Sequence, residues 1–186
     1  MEDNRLAAAA AGGDDEAFTR LVERYRSYIY TIAFKMTLHE DDALDVTQNV
    51  FMRLVEKIGS FRGRGTFRAW LATITVREAS GFLRRPSRRE ASTNPQVLAC
   101  LSDKDQENKP PDQREALDAS QRRQLVEAAM AHLSPQQRAI FALRFKEDMG
   151  PKEIARRLGL PAGQVRSQLH WAIAKIRQAI AGKSVG

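Results

Sequence analysis

Apolar residues recur along this chain at intervals of three and four, the spacing that lines one side of an α-helix, with no alternating strand pattern of any length. In "DDEAFTRLVERYRSYIYTIAFKM", Phe18, Leu21, Val22, Tyr25, Ile29, Ile32, Ala33 and Met36 fall on one face. Three acids open the stretch, where the helix dipole favours them. "TLHEDD" interrupts the pattern, and a second helix is predicted from about Asp41 to Ile58. It has two stripes. Ala43, Val46, Thr47, Val50, Leu54 and Ile58 form an inward face; opposite them lie Asp41, Asp45, Gln48, Asn49, Met52 and Glu56, flanked by Leu44, Phe51 and Val55.

Three glycines in "GSFRGRGTF" then mark a flexible, arginine-bearing loop, followed by a third helix with Phe67, Trp70, Leu71 and Ile74 on one side, ending near "LRRPSRR". Residues 90–120 are polar, proline-bearing and acidic, the composition of a linker, with "QVLACL" as a candidate helical turn. A second helical unit follows. In "SPQQRAIFALRF", Ser134 can cap, Pro135 suits the first helical position and Gln137 completes a capping box, while Ile140, Phe141, Leu143 and Phe145 are expected to supply core. A short helix from Pro151 to Leu158, a "GLP" turn and a longer helix with Val165, Leu169, Ala172 and Ile176 inward then predict a helix-turn-helix.

Length suits two small domains. The net charge of +7 points to a polyanionic partner, and its distribution narrows the choice: +2 over residues 1–90, −3 over 91–120 and +8 over 121–186. A further basic cluster, Arg62, Arg64, Arg68, Arg77, Arg84, Arg85, Arg88 and Arg89, closes the first unit. Cys100 is the only cysteine, so neither an internal disulfide nor a Cys-rich zinc site is available, and His39, His132 and His170 lack metal-ligand spacing. No apolar run approaches the roughly 20 residues that span a bilayer. "LAAAAAGG" lacks a basic leader and does not read as a signal peptide, so the chain is expected in the cytoplasm without membrane insertion. Neither a phosphate-cradling glycine loop with its lysine nor a nucleophile elbow is present, and no enzyme is expected.

A recognition helix presents polar side chains near its N-terminus to base edges in the major groove, and Gln164, Arg166, Ser167, Gln168 and His170 occupy that half of the last helix. DNA binding is favoured over a plain helical hairpin. The mixed stripe around Asp45 suits docking on another protein's helices, apolar edges giving area and acids giving orientation, although a wide core stripe would also absorb its apolar members.

The order "DDALDVTQNVFMRL", "FRAWLATITVREASGFLRR", a linker, then "LSPQQRAIFALRFKEDMGPKEIARRLGLPAGQVRSQLHWAIAKIR" resembles the extracytoplasmic-function (ECF) type of RNA polymerase sigma factor over about residues 14–182. The resemblance implies an all-α protein of two small helical domains, sigma domain 2 over 14–89 and sigma domain 4 over 122–182, joined by a flexible linker over 90–121. It implies a function without cofactor: binding RNA polymerase core and directing promoter-specific initiation through the minus-ten and minus-thirty-five elements. A stand-alone helix-turn-helix regulator is the alternative. Asp45, Gln48, Asn49, Phe51 and Val55 match positions that grip the beta-prime clamp helices. Arg62, Arg64, Arg77, Arg84, Arg85 and Arg88 match the part that opens the minus-ten element. Lys152, Arg156, Arg166, Ser167 and His170 match the minus-thirty-five reader, with Arg157 and Lys175 also placed for phosphate, and the helices before them would meet the beta flap. An anti-sigma factor is a further implied partner. Trp70 can stack on a base or pack in the core, the latter being favoured by its stripe. Against the family's habit the chain has Leu44 and Asn49 where acids are frequent, Arg77 where asparagine is common, and Trp171 and Ile173 at often basic positions.

Overall fold

The computed structural model describes residues 2–85 and 128–183, with side chains as far as Ala179; every regular element among them is helical. The first unit contains α1 (Glu2–Ala11), α2 (Asp15–Thr37), α3 (Glu40–Lys57), a 3-10 turn (Ile58–Ser60) and α4 (Phe67–Leu83). The second contains α5 (Pro135–Phe145), α6 (Pro151–Leu158) and α7 (Ala162–Lys183), preceded by a helical turn at 128–130. The proposed linker over 90–121, with Arg88, Arg89, Cys100 and "QVLACL", lies outside the described residues.

Helix α2 starts where Asp14 accepts a hydrogen bond from the Ala17 N–H at 2.9 Å. It stops at Leu38, whose left-handed backbone (φ 59°) lets its N–H close onto the Phe34 carbonyl. The turn sends α3 back along α2, and α4 completes the bundle. Leu21, Ile29, Ile32 and Met36 of α2 meet Val46, Val50 and Leu54 of α3 and Phe67, Leu71 and Val76 of α4, all fully buried or nearly so. Five threonines are buried within this apolar interior at little cost, because each hydroxyl donates to the carbonyl four residues earlier: Thr31, Thr37, Thr47, Thr73 and Thr75.

Helix α1 was not predicted. It carries one large apolar residue, Leu6, and is otherwise alanine-rich, so no stripe announces it, although alanine is the best helix former. Small side chains let it lie close: Ala7 and Ala10 are buried against the bundle, and Asp3 accepts from the Tyr25 hydroxyl at 2.8 Å and from Arg24 at 2.5 Å.

In the second unit the expected capping box is present. The Gln137 N–H donates to Ser134 Oγ at 3.2 Å, and the Ser134 N–H donates to Gln137 Oε1 at 3.0 Å. Ile140 and Leu143 are buried and Phe141 partly so, but Phe145 is 57 % exposed, correcting its assignment to the core. It stands in the last turn of α5, against the Phe141 ring (4.4 Å between centroids) and under the Arg144 guanidinium (5.9 Å to the ring centroid). Arg138 is buried on α5 with its Nε lacking a hydrogen-bond partner among the described residues, and burial pushes its pKa down to about 10. Between pH 10 and the ordinary value of 12.5 the unfolded chain binds more protons, so stability rises with pH there, and below pH 10 the cost of the buried charge is present in full. Arg138→Met is therefore expected to stabilise the protein by about 1–3 kcal/mol at pH 7, with a smaller gain at pH 11, read from paired urea unfolding curves.

The two units pack together, α4 lying against α5 and α6. At one end of the seam, the Tyr28 hydroxyl donates to Glu147, which Arg68 also reaches at 3.4 Å, and both Arg68 and Lys146 sit over the Tyr28 ring. At the other, Arg157 donates to the Ala69 carbonyl at 3.2 Å and to Thr73 at 3.3 Å, and Arg77 donates to the carbonyl of Arg157. Burial, then the Glu147 charge, pushes the Tyr28 hydroxyl far above its ordinary pKa.

Candidate polymerase and promoter interfaces

Helix α3 divides as its two stripes predict. Ala43, Val46, Thr47, Val50, Leu54 and Ile58 are all buried. On the other side Asp41, Asp45, Gln48 and Glu56 are exposed, Asn49 and Phe51 half-buried, and Leu44, Met52 and Val55 are 52 %, 53 % and 64 % exposed. Core packing therefore does not account for Leu44, Met52 and Val55, whereas Phe51 packs partly against the core. Asp45, Gln48, Asn49, Phe51 and Val55 are brought onto one surface of one rigid helix, with apolar area flanked by carboxylates. That is the anatomy of a protein-docking patch.

The loop between the 3-10 turn and α4 projects Arg62 and Arg64 into solvent. Gly63 (φ 67°) and Gly65 (φ 92°) take left-handed conformations there that side chains disfavour. Its base is held by aromatic packing: Phe61 lies 5.6 Å from Phe67 and 5.5 Å from Trp70 between ring centroids. Trp70 is thus a member of the core edge, as its stripe indicates, not a ring standing clear to receive a base. Arg84 and Arg85 are exposed at the far end of α4, and Arg85 lies over the Phe82 ring at 5.6 Å. Arg77, expected to face DNA, is exposed but spends a donor on the Arg157 carbonyl; Arg88 lies outside the described residues.

The helix-turn-helix forms as the sequence predicts. Pro151 opens α6, Gly159 (φ 69°) ends it in the left-handed conformation, and α7 starts three residues later. Val165, Ala172 and Ile176 are buried and Leu169 partly so, which turns Arg166, Ser167 and His170 outward together on the N-terminal half of α7. Lys152 and Arg156 line a concavity of about 610 Å³ around the "GLP" turn, beside the start of α7, where cations are suited to phosphate. Arg157 and Lys175 are not free in the same way. Arg157 holds Glu153 at 2.8 Å and α4 at the seam, while Lys175 donates to the His132 carbonyl at 3.2 Å. Trp171 is 59 % exposed next to His170. Among the described residues there is no cluster of potential metal ligands and no helix long and apolar enough to cross a membrane.

Comparison with known proteins agrees with this arrangement. The family model for Sigma-70 region 2 matches residues 21–89, and that for Sigma-70, region 4 matches residues 123–176. The ECF RNA polymerase sigma factor SigE of Mycolicibacterium smegmatis is 27 % identical, the alignment covering 98 % of this chain and 70 % of that protein. The ECF RNA polymerase sigma-E factor of Escherichia coli K12 is 29 % identical, covering 98 % of this chain and 94 % of that one. Among solved structures, CnrH in complex with the cytosolic domain of CnrY gives a TM-score of 0.63 at 24 % identity, covering 98 % of this chain and 99 % of that one. The sigma factor RpoE in complex with the anti-sigma factor NepR from Bartonella quintana gives 0.64 at 19 % identity over 88 % of this chain and 96 % of that one, a likeness of fold. The chain belongs to the ECF group of the sigma-70 family, RNA polymerase sigma factors that direct transcription initiation.

Proposed function

We propose that the first unit, residues 14–89, docks on the beta-prime clamp helices of RNA polymerase core through Asp45, Gln48, Asn49, Phe51 and Val55, and opens the minus-ten element. The observation that carries this reading is the outer face of α3, where three large apolar side chains more than half exposed share one surface with exposed carboxylates. Arg62, Arg64, Arg84 and Arg85 form the cationic track for the displaced strand, whose unpaired bases must be captured to offset the cost of unstacking them. Arg77 joins them once α6 has moved away from α4. Arg88 completes the set by its place in the sequence.

Residues 122–182 read the minus-thirty-five element. Arg166 offers a bidentate pair to guanine, Ser167 and His170 contact neighbouring bases, and Lys152 and Arg156 hold phosphate. The beta flap is the protein partner of this unit. Action is by positioning alone, with no covalent step, in the cytoplasm where the polymerase works. Two solved structures of similar fold are complexes with the cytosolic domain of CnrY and with the anti-sigma factor NepR, which supports an anti-sigma partner for this chain as well.

The test is run-off transcription with sigma-free polymerase core and a pool of promoter fragments from the source genome. Selective transcripts are expected, and Arg166→Ala should lower output from a minus-thirty-five-dependent promoter by roughly tenfold with core affinity unchanged. Folded protein that binds duplex DNA specifically but never core would instead make the chain a stand-alone regulator.

A further inference from the structure

The arginine-glycine loop has few means of holding its own shape. Its start is held by the Phe61 N–H donating to the Ile58 carbonyl at 3.0 Å and by Arg62 donating to the Gly59 carbonyl at 3.1 Å, while two of its glycines carry positive φ, so the stretch beyond Arg62 has many conformations to lose. Its far end is held from outside, by α1. Asn4 Nδ2 donates to the Gly65 carbonyl at 3.0 Å, and the Phe67 N–H donates to Asn4 Oδ1 at 2.8 Å. The amide thus spans the junction, taking the last glycine's carbonyl and an N–H of the first turn of α4 that no helical carbonyl can reach. Among ordinary side chains of this length only asparagine offers a donor and an acceptor at once: aspartate cannot donate, and glutamine is one methylene longer. Asn4 is itself fixed, being half-buried on a helix pinned by Ala7, Ala10 and the Asp3 contacts to Tyr25 and Arg24.

From this geometry we infer that Asn4 is a positioning residue for promoter opening: α1 clamps the loop that carries Arg62 and Arg64 in a shape ready to receive displaced DNA. The inference rests on the assignment of that loop to the minus-ten element. Its contribution is preorganisation, a loop ordered before DNA arrives, so it falls on the step in which paired bases must be separated and caught. Two hydrogen bonds of ordinary strength at such a junction correspond to a five- to thirtyfold effect.

The experiment compares opening rates on a fully duplex promoter and on the same promoter with its minus-ten element already unpaired by mismatches, using full-length protein and core. Asn4→Ala is expected to slow opening of the duplex promoter at least fivefold, to change output from the unpaired template less than twofold, and to leave core affinity unchanged. An unchanged rate on duplex overturns the inference. So does an equal loss on both templates, which would make Asn4 only a support of the fold. Arg62→Ala with Arg64→Ala is run alongside. If that pair leaves opening intact, the loop assignment itself fails; if it slows opening while Asn4→Ala does not, only the clamp fails.

Discussion

Asp45→Arg combined with Gln48→Ala is expected to lower affinity for polymerase core by at least about 100-fold while the thermal unfolding of the isolated protein stays within ordinary surface-mutation scatter. Both positions are exposed on the outer face of α3 and stand outside the apolar core, so stability changes should remain near ±0.5 kcal/mol. The loss on docking is larger because reversing a charge inside a complementary patch replaces attraction with repulsion and desolvates the new cation, at a cost of several kcal/mol. Fluorescence titration of labelled protein with core measures it. Unchanged affinity would detach the α3 surface from core binding and leave Leu44, Met52 and Val55 without an explanation.

Phe67→Ala is expected to unfold the first unit in the range where the native chain is stable. The side chain is fully buried at the first position of α4, with ring centroids 5.3 Å from Tyr25 and 5.6 Å from both Phe61 and Trp70. Truncating such a residue costs about 3–5 kcal/mol, a large part of the stability of a small domain. At about 4–8 °C per kcal/mol, its midpoint should fall by more than about 10 °C in calorimetry. Phe67→Leu keeps most of the buried area and loses the aromatic pairs, so its fall should be less than half as large.

The helices that carry wide apolar stripes were legible from spacing. So were the outer face of α3, the capping box at Ser134 and the helix-turn-helix, because each rests on periods of 3.6 residues or on short-range capping that needs no knowledge of neighbours. Helix α1 was hidden because alanine packs by being small and leaves no stripe to count. Phe145 looked like core because α5 continues its pattern for one turn beyond the partner it packs against. The contacts of Arg77, Arg157 and Asn4 could not be read at all. They join residues 80, 88 and 63 positions apart, and only the folded chain brings those positions together.

Arg77 in the grip of the Arg157 carbonyl has a consequence for how the protein is stored. The two promoter elements take their names from positions 25 base pairs apart, roughly 85 Å along duplex DNA at about 3.4 Å per pair. A compact body of this chain length has a radius of gyration near 16 Å. A single packed particle therefore cannot touch both elements, whereas residues 86–127, at most about 150 Å when drawn out, are long enough to let the halves separate. On the proposed assignment of the two units to the two elements, the seam through Tyr28, Glu147, Arg77 and Arg157 acts as a threshold, because engaging both elements requires the free energy that parts it. On the proposed docking of the two units, apparent affinity for DNA is reduced by the fraction of molecules still closed, and a core that holds the two halves apart removes that handicap before DNA is met.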